Sequence, residues 1–293
     1  MHSIRGALLF VLGVFLFACM DTTIKHLAAT WAVPVVIAVR YAVHCLLMIV
    51  VLAPTRGREL VRTRRTGLVV LRAACLATAS LLFGFALQRM PLAEATAFLF
   101  VAPLIVVVVG GLVLREHIGT LGWLAALSGF GGVLLIARPG GGLDPVGVAL
   151  ALGTACLAAS YGLLSRVLAA TESTLAMLFY TAVLGTVAFG LLAPWHWGGP
   201  QPSTLQVLLF GAVGACGAIG HFLFTAAHRD APASTLAPLS YAQLVFAALL
   251  GWLVFGHVPD GPALAGIAIV IGAGVLVALK SRLATRAAAD PAE

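Results

Sequence analysis

The sequence predicts an all-α integral membrane protein with ten transmembrane helices, arranged as two inverted repeats of five helices each. Hydrophobic residues make up 61% of the chain, charged residues 9%, and the mean hydropathy is +1.09. This composition excludes a soluble globular domain. In addition, residues 88–96 (QRMPLAEAT) are echoed by residues 229–237 (RDAPASTLA) at an offset of 141 positions. Two copies of one unit are therefore predicted, and an odd number of spans per copy inverts the second copy.

The individual spans follow from the polar, proline and glycine positions that interrupt the apolar sequence. Each apolar segment is long enough to cross a hydrocarbon core about 30 Å thick as a helix. None shows the period-two alternation of a transmembrane barrel. The predicted spans are 4–28, 32–53, 67–89, 91–114, 120–138, 146–169, 174–194, 204–228, 232–255 and 262–281. The first repeat covers 1–139 and the second 140–281, with a breaker-rich linker at 138–145 and a tail at 282–293.

The basic residues predict the orientation of the chain in the membrane. With a cytoplasmic N-terminus, only Arg89 and Arg138 fall in outer loops. The inner side then collects Arg5, Arg56, Arg58, Arg62, Arg64, Arg65, Arg115, Arg166, Arg229, Lys280, Arg282 and Arg286. By the positive-inside rule, both termini are expected in the cytoplasm. The net charge of +7 is explained by this asymmetry and by anionic lipid, so it indicates no nucleic-acid partner.

Several short segments resemble the EamA-type members of the drug/metabolite transporter superfamily over nearly the whole chain. The matching segments are PLAEAT at 91–96, APL at 102–104, LRE at 114–116, the glycine-rich helix at 129–132, ARP at 137–139, LSYAQL at 239–244 and GWLVFG at 251–256. The second repeat departs from the pattern at His257, where the family usually has an acidic residue corresponding to Glu116. The subgroup that carries carboxylates, amino acids, amines and S-adenosylmethionine is the most similar.

This resemblance implies ten helices in inverted repeats and secondary transport, by alternating access, of a small polar or zwitterionic metabolite across the bacterial cytoplasmic membrane. Export or exchange of an amino acid, an amine or S-adenosylmethionine is the favoured activity, with protons as a candidate coupling ion. The alternatives are a flippase or an intramembrane enzyme acting on a lipid-linked substrate. A phosphate loop, a metal-ligand spacing and a nucleophile motif are missing from the sequence, so no cofactor, metal or catalytic residue is predicted. Both a monomer and a homodimer are compatible with the sequence.

Ionisable residues inside the spans indicate where a transport site lies, because each is costly in the bilayer and needs a partner or a cavity. Asp21 and Lys25 share one face of the first span, at i and i+4, and Arg40 and His44 repeat that spacing in the second. Asp21, Arg40 and Glu94 all lie within about 12 Å of the outer ends of their helices. We therefore predict a nearly neutral cluster that recognises a carboxylate and an amine or passes a proton.

Simpler interpretations of these residues stay open. Asp21 and Arg40 could form a structural pair or an outer gate between helices, and Glu94 could cap the fourth span. His44 lies near the midplane and is a candidate for proton coupling, although a lone histidine is more often a hydrogen-bonded packing residue. The same two interpretations apply to His221, which lies among closely spaced glycines in the eighth span.

The second half offers hydroxyl and amide groups in place of charges. Tyr161 corresponds to Asp21 and Tyr180 to Arg40 at an offset of 140, while Tyr241 and Gln243 lie in the ninth span. These four residues are predicted to line the inner side of the substrate path, or else to fill a wet cleft that binds nothing. Pro103 is the predicted hinge of the fourth span, and Arg72 is expected to extend toward the inner membrane surface.

Overall fold

The computed structural model describes residues 2–112, 120–137, 142–198, 200–231 and 236–289. Throughout these residues the chain is helical or lies in short connections. The α-helices are α1 (His2–Leu27), α2 (Val33–Val61), α3 (Thr66–Arg89), α4 (Leu92–Leu99), α5 (Ala102–Leu112), α6 (Thr120–Ala137), α7 (Pro145–Leu168), α8 (Thr174–His196), α9 (Thr204–Asp230), α10 (Ala242–Phe255) and α11 (Gly261–Ala289), and a 3₁₀ helix covers Ala237–Tyr241.

Six of the described helices are long and apolar enough to cross a membrane: α1, α2, α3, α7, α8 and α9. Shorter apolar helices occur at Leu92–Val106, Leu127–Ala137, Leu239–Phe255 and Gly261–Leu276. The prediction of a helical, multi-span membrane protein is therefore confirmed. Local sequence fixes several of the helix starts, as in α9, where Ser203 and Gln206 form a capping box, and in α7, where Asp144 accepts from the backbone N–H of Val146.

Four predicted spans differ in detail from the helices observed. In the ninth, the 3₁₀ helix Ala237–Tyr241 precedes α10, and residues 232–235 lie outside the described residues. α2 continues to Val61, past the predicted end at residue 53, with a kink at Arg56. The predicted fourth span is two helices separated by a turn at Phe100 and Val101, and Pro103 lies in the first turn of the second of these, α5. α11 continues past the predicted end at residue 281 to Ala289. Of the predicted linker at 138–145, the part before Gly142 lies outside the described residues.

Helices of the first half pack against helices of the second half. The most extensive pairs are α1 with α9, α2 with α8, α3 with α7 and α6 with α11, and α4 also contacts α10. Glycines allow the closest of these approaches: a β-carbon on Gly13 or Gly220 would press on the other's carbonyl oxygen, and the same holds for Gly132 and Gly266. Backbone contact between small residues is the usual way in which membrane helices associate, because lipid gives apolar side chains no reason to prefer protein.

The two ends of the helix bundle can be told apart by their contacts. At one end, here called the basic end, the carboxylate of Glu172 accepts from the backbone N–H groups of Arg64 and Arg65 at 2.8–3.1 Å. At the opposite end, Arg89 forms a 2.8 Å ion pair with Asp144. The hydrogen bond from Arg89, together with one from the backbone of Val146, lowers the pKa of the Asp144 carboxyl from its ordinary value.

Candidate functional site

A cavity of about 200 Å³ lies at the centre of the bundle, between helices of both halves of the chain. Its polar lining comes from Asp21, Arg40, His221 and Gln243, with the hydroxyl-bearing Ser80 and Thr154. The remaining lining is mostly apolar and includes Phe17, Met20, Ile24, Leu76, Phe83 and Leu99. Four of the predicted site residues are therefore brought together, from α1, α2, α9 and α10.

Arg40 is the least satisfied polar side chain of this cavity. The residue is 6% exposed, and its buried Nε atom has no hydrogen-bond partner among the described residues. Within the same part of the chain its guanidinium forms no ion pair, and the Tyr41 ring centroid lies 5.1 Å from the guanidinium carbon. The adjacent position on α9 is Gly217, where a β-carbon would lie 3.6 Å from the Arg40 Nε. A buried N–H group without a partner is strongly disfavoured, so this position suits a ligand that accepts hydrogen bonds.

Asp21 contacts Gln243 instead of Arg40. The residue is 4% exposed, and the Gln243 side-chain amide donates to its Oδ2 atom at 3.4 Å. The predicted direct pair between Asp21 and Arg40 is absent from the ion pairs of the described residues, although both side chains line the same cavity. Asp21 and Gln243 thus join the first and ninth predicted spans across the cavity.

The two predicted histidines lie side by side. The imidazole rings of His44 and His221 are stacked with centroids 5.9 Å apart, and Phe17 meets His221 edge-on at 4.8 Å. His221 lines the cavity, whereas His44 is not among its lining residues and is 4% exposed. Electrostatic interactions reach His221 from His44, Arg40 and Arg72.

Lys25 and Glu94, predicted in the same cluster, lie outside the central cavity. The Lys25 Nζ atom donates to the carbonyl oxygens of Leu87 and Met90, both at 2.6 Å, and thereby caps the C-terminus of α3. Glu94 is 3% exposed, and its Oε1 atom is 2.9 Å from the His257 Nε2 atom. That pair lines a separate cavity of about 160 Å³ at the opposite end of the bundle, together with Arg89 and Asp260.

The predicted tyrosines are divided among three places. The Tyr161 hydroxyl accepts a hydrogen bond from the Arg72 guanidinium. The Tyr180 hydroxyl donates to the Val61 carbonyl oxygen at the basic end, at 3.2 Å. Tyr241 stacks on Phe100 with ring centroids 4.8 Å apart, at the point where the 3₁₀ helix gives way to α10. Phe100 is at the break between α4 and α5, so the two helix breaks face each other, 141 positions apart in the sequence.

Arg72 corrects a sequence-based expectation, because its side chain is buried between helices instead of extending to the inner membrane surface. It is 4% exposed, and its guanidinium carbon lies 4.2 Å from the Tyr161 ring centroid. It donates to Tyr161 Oη at 2.5 Å, Ser165 Oγ at 2.7 Å, the Met177 carbonyl oxygen at 3.2 Å and Thr181 Oγ1 at 3.3 Å. The side chain thus cross-links α3 to α7 and α8.

Sequence reasoning missed the contributions of Ser80, Thr154, Arg72 and His257. A charged residue inside a span was the available signal for Arg72, since such residues need partners wherever they lie. Ser80 and Thr154 carried no signal, because small hydroxyl residues are common in membrane helices and bond back to their own helix, as both do here. His257 was treated as a departure from a repeated motif, and the motif gave no reason to pair it with Glu94.

Comparison with known proteins identifies the family. The EamA-like transporter family matches residues 4–138 and again residues 145–279. The chain belongs to the EamA-like transporter family. The resemblance found in the sequence is thereby confirmed, and this EamA-like protein is a membrane transporter rather than an enzyme.

Similar proteins carry several transporter names. The riboflavin transporter of Vibrio cholerae is 31% identical over 273 residues, which cover 92% of this EamA-like chain and 91% of the relative. The S-adenosylmethionine uptake transporter of Rickettsia prowazekii is 26% identical over 222 residues, 75% of this chain and 74% of the relative. The pseudopaline exporter of Pseudomonas aeruginosa is 27% identical over 269 residues, 91% of this chain and 93% of the relative.

A solved structure supports the fold of this EamA-like chain. A crystal structure of a protein with 20% sequence identity superposes with a TM-score of 0.66, covering 94% of this chain and 97% of that one. At this identity the likeness concerns the fold alone.

Proposed function

We propose that this protein is a secondary active transporter that moves a small polar or zwitterionic metabolite across the bacterial inner membrane by alternating access. The central cavity is the proposed binding site, with Arg40, Asp21, Gln243 and His221 as its polar contacts. The observation that carries the proposal is the Arg40 Nε atom, which lacks a partner among the described residues and is buried at a cavity between the two matched stretches. A transporter site is expected between repeats, where rocking of one against the other exposes it to either side in turn.

The proposed topology is ten spans in two inverted repeats, at 1–139 and 140–281, with both termini in the cytoplasm. Two observations support the inversion. α1 begins near the basic end, where Arg5 pairs with Asp230 at the C-terminus of α9. α7, its counterpart by position, begins at the opposite end, where Asp144 pairs with Arg89. The exposed arginines of the α2–α3 connection support a cytoplasmic position of the basic end, by the positive-inside rule.

The residues that line the cavity favour a particular class of substrate. Its mostly apolar wall suits a ring or chain, and the polar groups at Arg40, Asp21 and Gln243 suit carboxylate, amine or amide substituents. An amino acid, an amine and S-adenosylmethionine all fit this description. Riboflavin is the second candidate, favoured by the apolar wall and by the relative named for it. Because the names of the relatives include both uptake and export, the proposed direction, export or exchange, needs a direct measurement.

Uptake into sealed proteoliposomes tests the proposal. We would measure labelled amino acids, S-adenosylmethionine, organic cations and riboflavin, with and without an imposed pH gradient. We expect saturable accumulation of one compound, reduced in Arg40→Gln by about tenfold to a hundredfold, because a charge-assisted hydrogen bond contributes roughly 1.5–3 kcal/mol. Arg166→Gln is the matched control, since Arg166 is exposed on α7 and away from the cavity. Dependence on the pH gradient would identify protons as the coupling ion.

Exchange of the charges at Asp21 and Arg40 tests whether these residues bind the substrate or form a gate. Restored transport in the double reversal Asp21→Arg with Arg40→Asp, after loss in each single variant, would make the two residues a gate pair. No flux of any compound through folded protein would refute small-metabolite transport. Movement of a labelled lipid between leaflets would then support a flippase, and turnover of a lipid-linked compound in detergent would support an enzyme.

A further inference from the structure

We infer that Arg72 is a second, cytoplasmic-side anion position of the substrate path, so that the substrate carries a carboxylate or phosphate group and a net negative charge. The inference rests on the proposed function and narrows its substrate class. The inference is supported by the hydrogen-bond partners of Arg72, which differ from those of the buried carboxylates Glu94 and Glu172.

All the described partners of the Arg72 guanidinium are neutral. They are the hydroxyl groups of Tyr161, Ser165 and Thr181 and the carbonyl oxygen of Met177. By comparison, Glu94 has His257, and Glu172 has the α3 N-terminus. Hydrogen bonds between neutral groups are enough to hold membrane helices together. A positive charge strengthens these hydrogen bonds, but none of the partners is an anion, so the charge keeps a cost in the bilayer that an anionic ligand would offset.

Arg72 lies next to the central cavity, one helical turn closer to the basic end. Leu76 and Ser80, four and eight residues further along α3, both line the cavity. On the facing helix α7, Ala158 and Thr154 line it, and Tyr161 follows Ala158 by three residues. Residues three or four apart share a helix face at a spacing of about 5–6 Å. The Arg72–Tyr161 contact therefore forms the next layer below the cavity floor.

The charges of this region do not balance. Among the buried charged side chains of the described residues, Asp21, Arg40 and Arg72 lie in or beside the central cavity. The remaining buried carboxylates, Glu94 and Glu172, are held near the two ends of the bundle. This region thus holds two guanidinium groups and one carboxylate. A substrate with one net negative charge would neutralise the compartment.

The arrangement also indicates how the anion would pass between the two positions. Arg40 is closer to the opposite end, and its Nε atom lacks a partner among the described residues, so it can bind the anionic group while Arg72 keeps its protein partners. The hydroxyl groups of Tyr161 and Thr181 can donate as well as accept. They can therefore turn toward the anion when it reaches Arg72, and the contacts between α3, α7 and α8 then loosen on the cytoplasmic side.

Uptake of compounds that differ by one ionised group tests the inference in proteoliposomes. Two pairs suit the cavity: riboflavin with riboflavin 5′-phosphate, and glutamine with glutamate. We expect the wild-type protein to carry the anion of at least one pair about tenfold or more faster than its neutral partner. In Arg72→Gln this preference should fall to near unity, whereas Arg72→Lys should retain part of it. Arg166→Gln, with an exposed arginine, should keep the full preference.

The outcomes are distinguishable from those for the proposed function. Equal rates for both members of each pair in the wild-type protein would overturn the anion inference and leave transport intact. The anion inference also fails if Arg72→Gln slows both members equally, since Arg72 would then be only a cross-link. The absence of flux for every compound would refute the proposed function together with the inference. If Arg72→Gln does not fold, Arg72→Lys replaces it: a preference reduced from the wild-type value supports the inference, and an unchanged preference overturns it.

Discussion

Replacement of Lys25 by methionine would separate a structural role from a transport role at a residue whose sequence position suggests both. The Lys25 ammonium donates two hydrogen bonds of 2.6 Å to carbonyl oxygens at the C-terminus of α3. Methionine has a similar length but donates none, so two carbonyl groups lose a charged partner. Because the side chain is only half-buried, each bond is assigned the lower end of the usual range for charged groups, about 1.5 kcal/mol. The expected loss for the two bonds together is therefore about 3 kcal/mol.

Thermal unfolding in detergent measures this loss. A destabilisation of about 3 kcal/mol lowers the midpoint by roughly 6 °C in a protein of this size. The neighbouring residue His26 is exposed, so His26→Met is a matched control that should unfold within a degree or two of wild type. Proteoliposomes that contain folded Lys25→Met protein should transport at a rate near that of wild type. An unchanged midpoint combined with lost transport would refute the capping argument and return Lys25 to the substrate path.

Three further predictions concern packing and the two ends of the bundle. Gly185→Leu should prevent stable folding, because even a β-carbon at this position would overlap the Tyr41 ring, and detergent yield by size-exclusion chromatography would show it. Glu172→Gln should lower the thermal midpoint by several degrees, because the amide cannot replace both charged acceptors for the α3 N-terminus. Arg89→Gln should slightly weaken stability at neutral pH. Because Arg89 lowers the pKa of Asp144, this effect should decrease as the pH falls below the ordinary value of that carboxyl and disappear below its folded pKa, as measured by unfolding over a series of pH values from 7 downward.

Each of these predictions has a control in the same chain. A β-carbon at Gly131 would meet no atom of the described residues within 4 Å, so Gly131→Leu should fold, and its failure would remove the steric argument. Glu59→Gln changes an exposed carboxylate whose ion pair with Arg56 spans 3.7 Å, and it should leave the midpoint unchanged. An effect of Arg89→Gln that stays constant over the whole pH series would mean that its contribution is packing rather than the ion pair with Asp144.

The sequence alone determined the class, the family and four of the buried ionisable residues, Asp21, Arg40, His44 and Glu94. A helix in lipid must satisfy its backbone hydrogen bonds within its own segment. Membrane-spanning segments can therefore be predicted from the hydropathy of each segment, without knowledge of which helices pack beside it. The repeated prolines also carried information. Helix breaks occur at Phe100 and at Tyr241, close to the proline-containing segments that repeat at the same offset.

The tertiary structure decided which ionisable groups meet. The position of a residue along a span gives its depth in the membrane. By depth alone, the sequence places Asp21, Lys25, Arg40 and Glu94 in one cluster. Rotation about each helix axis and the choice of neighbouring helix separate them. Lys25 reaches the end of α3, and Glu94 reaches His257, 163 positions away. Of these four residues only Asp21 and Arg40 share the central cavity, because side-chain direction depends on packing between distant helices and not on spacing within one.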